Sequence, residues 1–283
     1  MVTAVVMSTT CDSPAGPEDV AFVEVTPATW SPTALGDTTR FRAVAKTAFG
    51  RTIPGLTFTW SSDAQGVVGL QDDGFALAHA AGSAQVRASI GAVSGTAEVS
   101  VSQTVESVII LTYFGNTLSA VGDSTQLFVD ARDRNSFSVP GTIYTLQSLN
   151  QTVATVTLEG WVKAVSPGVA NIVAMAAGKA DTAPVQVIQR VGSIELSPDS
   201  AELEDGATRQ FSVTMKDRNG YLITDRDPNW SSSEPLALSV SASGLATARA
   251  AKLGPAKVVA TSGGIRTEAP VYVFTEFTAV AAG

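Results

Sequence analysis

The chain has 283 residues, 45% apolar and 16% charged, with 18 Lys and Arg against 26 Asp and Glu. The net charge of −8 excludes the basic footprint that neutralises phosphates or anionic headgroups, so no nucleic-acid partner is expected. One cysteine and one histidine exclude disulfide scaffolds, Cys/His zinc sites and almost all imidazole catalysis, and no apolar run reaches the roughly 18 residues of a membrane helix.

Residues 1–19 form a tail. Met1 to Thr10 is mildly apolar without Lys or Arg, and Cys11-Asp12-Ser13-Pro14 follows, ending in Glu18-Asp19. A cysteine ahead of a small, proline-rich, acidic run resembles the start of a mature bacterial lipoprotein, although the charged segment that normally precedes it is missing. The resemblance implies lipid on Cys11 and membrane contact only through it. It also implies an acidic tether over residues 12–19 and, with Asp12 next to the cysteine, retention on the periplasmic face of the inner membrane. The alternative is a plain tail with an incidental cysteine.

From residue 20 the sequence repeats. Gly36, Gly122 and Gly206 sit in small polar turns 86 and 84 residues apart, and Phe41, Leu127 and Phe211 follow at the same separations. Gly74, Gly160 and Gly244 repeat the pattern, as do Gly82, Gly168 and Gly254. Three copies are predicted, at 20–103, 104–189 and 190–274, with a C-terminal tail at 275–283. Within each copy apolar residues alternate, as in Phe211, Val213 and Met215 against Gln210, Ser212 and Thr214, which is the period of a half-buried strand. Strands end in turn clusters such as Asp217-Arg218-Asn219-Gly220, and no amphipathic helix is found. The expected fold is all-β, with three tandem antiparallel sandwiches.

Copy one contains Val23-Glu24-Val25-Thr26-Pro27, Trp60-Ser61-Ser62-Asp63 and Gly74-Phe75-Ala76. Copy three contains Ile194-Glu195-Leu196-Ser197-Pro198, Trp230-Ser231-Ser232 and Gly244-Leu245-Ala246. These runs resemble the bacterial immunoglobulin-like domain, group 2, of invasin and intimin type, which implies an immunoglobulin-like sandwich for each copy. Copy two departs, with Leu146 in place of the tryptophan and Leu111-Thr112-Tyr113-Phe114 in place of the Ser-Pro or Thr-Pro step. An indole at the end of a central strand is expected to fill the space between the sheets. Trp161, aligned with Phe75 and Leu245, is expected in the core, as is Trp30.

No phosphate-binding, metalloprotease, dinucleotide or nucleophile-elbow motif is present. His79 has no acid or nucleophile close in sequence. Asp217, Asn219, Asp225 and Asp227 gather on one predicted hairpin, but Arg218 and Arg226 lie in the same hairpin and are expected to pair with them. No catalytic residue, cofactor or metal is assigned, and no enzyme is expected.

Two function classes remain, and fold does not choose between them. The first is a structural subunit that docks on and stabilises a larger envelope complex on the periplasmic face of the inner membrane, for instance a photosynthetic reaction-centre assembly. The alternative is a cell-surface adhesin or virion decoration module that binds a glycan or receptor. Phe128 falls on the outward phase of its strand, Tyr113 and Phe114 are near in sequence, and Phe137 sits in a hairpin turn where copy three has Tyr221. These aromatics are expected to form a protein-partner interface or to be covered at domain joints, and Tyr272, Phe274 and Phe277 form a second candidate surface.

Overall fold

The computed structural model describes residues 19–250 and 254–275, and every regular element among them is a β-strand. The first repeat contains β1 (Phe22–Thr26), β2 (Thr29–Trp30), β3 (Thr38–Arg40), β4 (Arg42–Lys46), β5 (Thr52–Ile53), β6 (Thr59–Ser62), β7 (Val68–Leu70), β8 (Phe75–Ala78), β9 (Gly82–Ile90) and β10 (Val93–Val101). The second contains β11 (Ser107–Leu111), β12 (Thr117–Leu118), β13 (Ser124–Gln126), β14 (Phe128–Arg132), β15 (Thr145–Ser148), β16 (Ala154–Val156), β17 (Trp161–Ala164), β18 (Gly168–Ala176) and β19 (Lys179–Val187). The third contains β20 (Ser193–Ser197), β21 (Ala201–Glu204), β22 (Thr208–Gln210), β23 (Ser212–Lys216), β24 (Asn229–Ser232), β25 (Leu238–Val240), β26 (Leu245–Ala248), β27 (Ala256–Ser262) and β28 (Ile265–Phe274).

One sheet pattern recurs in all three repeats. In the first, β2-β10-β9-β6 forms one sheet, with β2 parallel to β10 and the other pairs antiparallel. Opposite it stand β1-β4-β5 and β3-β8-β7. Phe41 interrupts what is otherwise one strand, β3 with β4, so the two small sheets read together as four strands in the order first, second, fifth, fourth. Four strands of that order facing a sheet of the third, sixth and seventh is the constant-type immunoglobulin arrangement. The sheets β12-β19-β18-β15 and β13-β17-β16 repeat it, as do β21-β28-β27-β24 and β22-β26-β25, and the pairs β11-β14 and β20-β23 match β1-β4. The chain is therefore an all-β protein of tandem immunoglobulin-like sandwiches.

The reason these segments are strands is visible in their burial. β10 alternates Ala97, Val99 and Val101 inward with Glu98 and Ser100 outward, and β17 alternates Val162 and Ala164 inward with Trp161 and Lys163 outward. Phe41, Leu127 and Phe211 are fully buried at equivalent places, each contributing about 2–3 kcal/mol of transfer free energy. Trp30 meets Phe41 edge-on at 6.3 Å between ring centroids, and Trp60 lies 6.4 Å from it. Gly74, at φ 78°, lies beneath Trp60, and a Cβ there would stand 2.3 Å from the Phe41 carbonyl oxygen. Gly160 and Gly244 make the same approach to Leu127 and Phe211, which accounts for this recurring glycine.

The chain divides into two compact units. Among the described residues, one holds those up to Ile109 with Asp130–Tyr144 and Ala176–Ala180, and the other holds Ile110–Val129, Thr145–Met175 and those from Asp181. The hairpin that follows β14 thus clusters with the first repeat, and the hairpin that follows β23 clusters with residues of the second.

Candidate functional site

Each unit contains a latch between the turn of one repeat and a hairpin of the next. In the first unit the turn Ala34 to Asp37 receives the hairpin Asp133 to Phe137. The buried Asp133 carboxylate accepts from its own hairpin, the Asn135 and Phe137 amides at 3.0 Å each, which fixes the tip in an Asx turn. It also accepts from the Leu35 amide at 3.0 Å and from Gln103 Nε2 at 2.9 Å. Asn135 Nδ2 donates to the Leu35 carbonyl at 2.7 Å and to Asp37 at 2.9 Å, and Arg134 Nε donates to Asp37 at 3.1 Å. Phe137 closes the joint, its ring edge 3.1 Å from where a Cβ on Gly36 would sit.

The second unit repeats this group for group. Asp217 accepts from Val121, Asn219, Tyr221 and Gln189 at 2.9, 2.9, 3.0 and 3.0 Å. Asn219 donates to the Val121 carbonyl and to Asp123, Arg218 pairs with Asp123, and Tyr221 covers Gly122. Burial pushes the carboxyls of Asp37 and Asp123 up, but the hydrogen bonds and charge of Arg134 or Arg218, with the Asn135 or Asn219 amide, hold both below the usual carboxylate value. Asp133 and Asp217 are likewise raised by burial and brought lower by Gln103 or Gln189 and the backbone amides. Every carboxylate in the latch is therefore anionic at neutral pH.

Two expectations change here. Arg218 pairs with Asp123 of the preceding repeat and not with Asp225 or Asp227, because the Asx turn aims the hairpin tip at the Gly122 turn. Arg226 does pair with Asp225. Trp161 is not in the core: it opens β17 on the outward phase, where Phe75 and Leu245 are also partly exposed, and the residue is 49% exposed. Phe137 lies at the joint over Gly36, one of the two places expected for it, and stays 47% exposed. Tyr113 and Phe128 do come together, with ring centroids 5.7 Å apart, and Phe114 is exposed beside them in sequence. Tyr272 and Phe274 are exposed on β28, while Cys11 and Phe277 lie outside the described residues.

Sequence reading missed the latch. Its signal was present, since Asp-Arg-Asn recurs at 133–135 and 217–219 with Asp37 and Asp123 lying 96 and 94 residues ahead, while the first copy has Thr47-Ala48-Phe49 in that place. His79 is exposed on the strand side of Gly69, and among the described residues no three His, Cys, Asp or Glu side chains are grouped as a metal site.

No protein-family description and no curated protein matches the chain. Among solved structures it is similar to FdeC, an Escherichia coli adhesin, at 19% identity over 92% of this chain and 99% of that one, with a TM-score of 0.44. It is also similar to domains 1–6 of the surface-layer protein SbsC, at 20% identity over 93% of this chain, TM-score 0.34, where it spans 41% of that chain. Invasin, a bacterial integrin-binding protein, matches at 15% identity over 89% of this chain and 58% of that one, TM-score 0.34.

Proposed function

We propose that this chain is a non-catalytic, extracytoplasmic binding and spacing module of the adhesin type, built of three domains at 20–103, 104–189 and 190–274. The observation that supports it is the doubled latch. Two successive joints use the same Asp, Arg, Asn and aromatic contacts, and a chain that presents a surface at a set distance needs joints that do not swivel. The reading as a docking subunit of an inner-membrane complex has less support. Of the aromatics that would carry it, Phe137 lies against the Gly36 turn of the preceding repeat.

The test is adhesion. Fluorescent beads coated with the purified chain are expected to be retained on bacterial or epithelial cell surfaces saturably, several-fold above uncoated beads. Absence of retention on every surface, with stoichiometric co-purification of the chain in a membrane complex, overturns the reading.

A further inference from the structure

A cleft lies beside each latch, and the two are built from equivalent positions. In the first unit Pro32, Thr33, Asp37, Thr38 and Arg134 help to line about 540 Å³. In the second unit the equivalents Leu118, Ser119, Asp123, Ser124 and Arg218 help to line about 420 Å³, within the range of small-ligand sites. The walls differ. Only the second cleft is flanked by two large exposed aromatics, Phe114 at 74% and Trp161 at 49% exposure. In the first repeat the position of Trp161 holds Phe75, outside the cleft lining, and the cross-strand neighbour Arg40 pairs with Asp73.

The polar groups of the second cleft are those of a neutral, hydroxyl-rich ligand. Asp123 and Arg218 cancel in charge, with two of the three guanidinium nitrogens on the carboxylate and the third left as a donor. Gln126 spends its amide nitrogen on the Glu159 carbonyl and keeps its oxygen as an acceptor. The Thr117 and Ser124 hydroxyls make no hydrogen bond among the described residues. An anionic ligand would need an unpaired cation, and an acyl chain would need a continuous apolar lining. A pyranose ring presents an apolar C–H face together with hydroxyls that both donate and accept, and it matches aromatic walls with this inventory.

We propose that this cleft of the middle repeat binds a pyranose unit of a neutral oligosaccharide, with Trp161 and Phe114 as its apolar walls. The proposal rests on the adhesive reading above and names its ligand class. The test is a glycan array probed with the purified full chain. A discrete set of neutral oligosaccharides is expected to bind. Trp161→Ala should lower that signal at least about tenfold, the usual effect of removing a central aromatic anchor, and Phe114→Ser several-fold. Phe75→Ala, the equivalent change in the first repeat, should leave it within about twofold. Trp161 and Phe114 are exposed, so unchanged melting temperatures are expected and show that any loss is not unfolding. Absence of glycan binding, equal binding by Trp161→Ala, or binding confined to sulfated and sialylated glycans and removed by salt overturns the proposal. The bead assay separates the two readings: retention that survives Trp161→Ala keeps the adhesive reading and removes this cleft, and array binding without bead retention does the reverse.

Discussion

Arg218 clasps Asp123 of the preceding repeat through Nε at 3.2 Å and Nη2 at 2.7 Å, yet its side chain is 64% exposed while that of Asp123 is 7% exposed. The carboxylate is buried and the guanidinium is not, so the pair is screened from one side. Asp217, a neighbour in the same latch, is 3% exposed and accepts from four donors. The two residues should therefore differ in energetic weight although both sit at one joint.

Replacing Arg218 by Gln is expected to cost only about 0.5–1 kcal/mol, and less at high salt, because Asp123 keeps the Ser119, Ala120 and Asn219 donors. Asp217→Ala leaves the part-buried amides of Val121 and Tyr221 and the buried Gln189 side chain without their acceptor, at roughly 2–4 kcal/mol. Thermal melts of the two variants, followed by tryptophan fluorescence, check the order. Equal losses would mean that the ion pair, and not the carboxylate hub, holds the joint.

The four latch carboxyls, Asp37, Asp123, Asp133 and Asp217, are all held below their ordinary value. A carboxyl depressed in the folded state contributes stability that is present above its unfolded pKa, about 3.9, and is lost as pH falls through the lower folded value. Stability is expected to be level from neutral pH down to about 5 and to fall below about 4. Denaturation midpoints across that interval measure it, and Asp217→Asn should shallow the acid limb. A limb that begins near pH 6 would point to another group.

Much of this architecture was legible in the sequence because it depends on spacing that repeats. Phe41, Leu127 and Phe211 stood out as apolar residues at repeating separations and Gly74, Gly160 and Gly244 as glycines repeating with them, and each set occupies one structural place. The joints were not legible for a physical reason. Leu35 and Asp133 are 98 residues apart, and nothing local distinguishes an Asx turn that caps only itself from one that also receives an amide of the neighbouring repeat. Trp161 was misplaced because aromatics are usually buried, whereas its phase on β17, opposite to Val162, decides its direction.

Gly160 and Gly206 provide a controlled comparison of two kinds of glycine. Their φ angles are 85° and 84°, so an alanine would be strained equally at both, by about 1–2 kcal/mol. A Cβ on Gly206 meets nothing within 4 Å, but on Gly160 it would stand 2.0 Å from the Leu127 carbonyl oxygen, a backbone atom that cannot rotate away. Gly206→Ala should cost only the strain, and Gly160→Ala roughly 3 kcal/mol more as β13, β14 and β17 are forced apart. Denaturant titration of both variants tests this. Similar midpoints would show that the Leu127 strand yields easily.

Phe128 separates the two uses of the exposed aromatics. It lies on the outward phase of β14 with its ring against that of Tyr113. Phe128→Ser removes one ring pair worth about 0.5–1.5 kcal/mol and some half-exposed area, and a small fall in melting temperature is expected. Because Tyr113 and Phe128 do not line the cleft of Phe114 and Trp161, glycan binding should be unchanged in the same variant. A loss of several kcal/mol would mean that the ring is covered in the folded chain, and a loss of glycan binding would extend the cleft across the edge of the sheet to this pair.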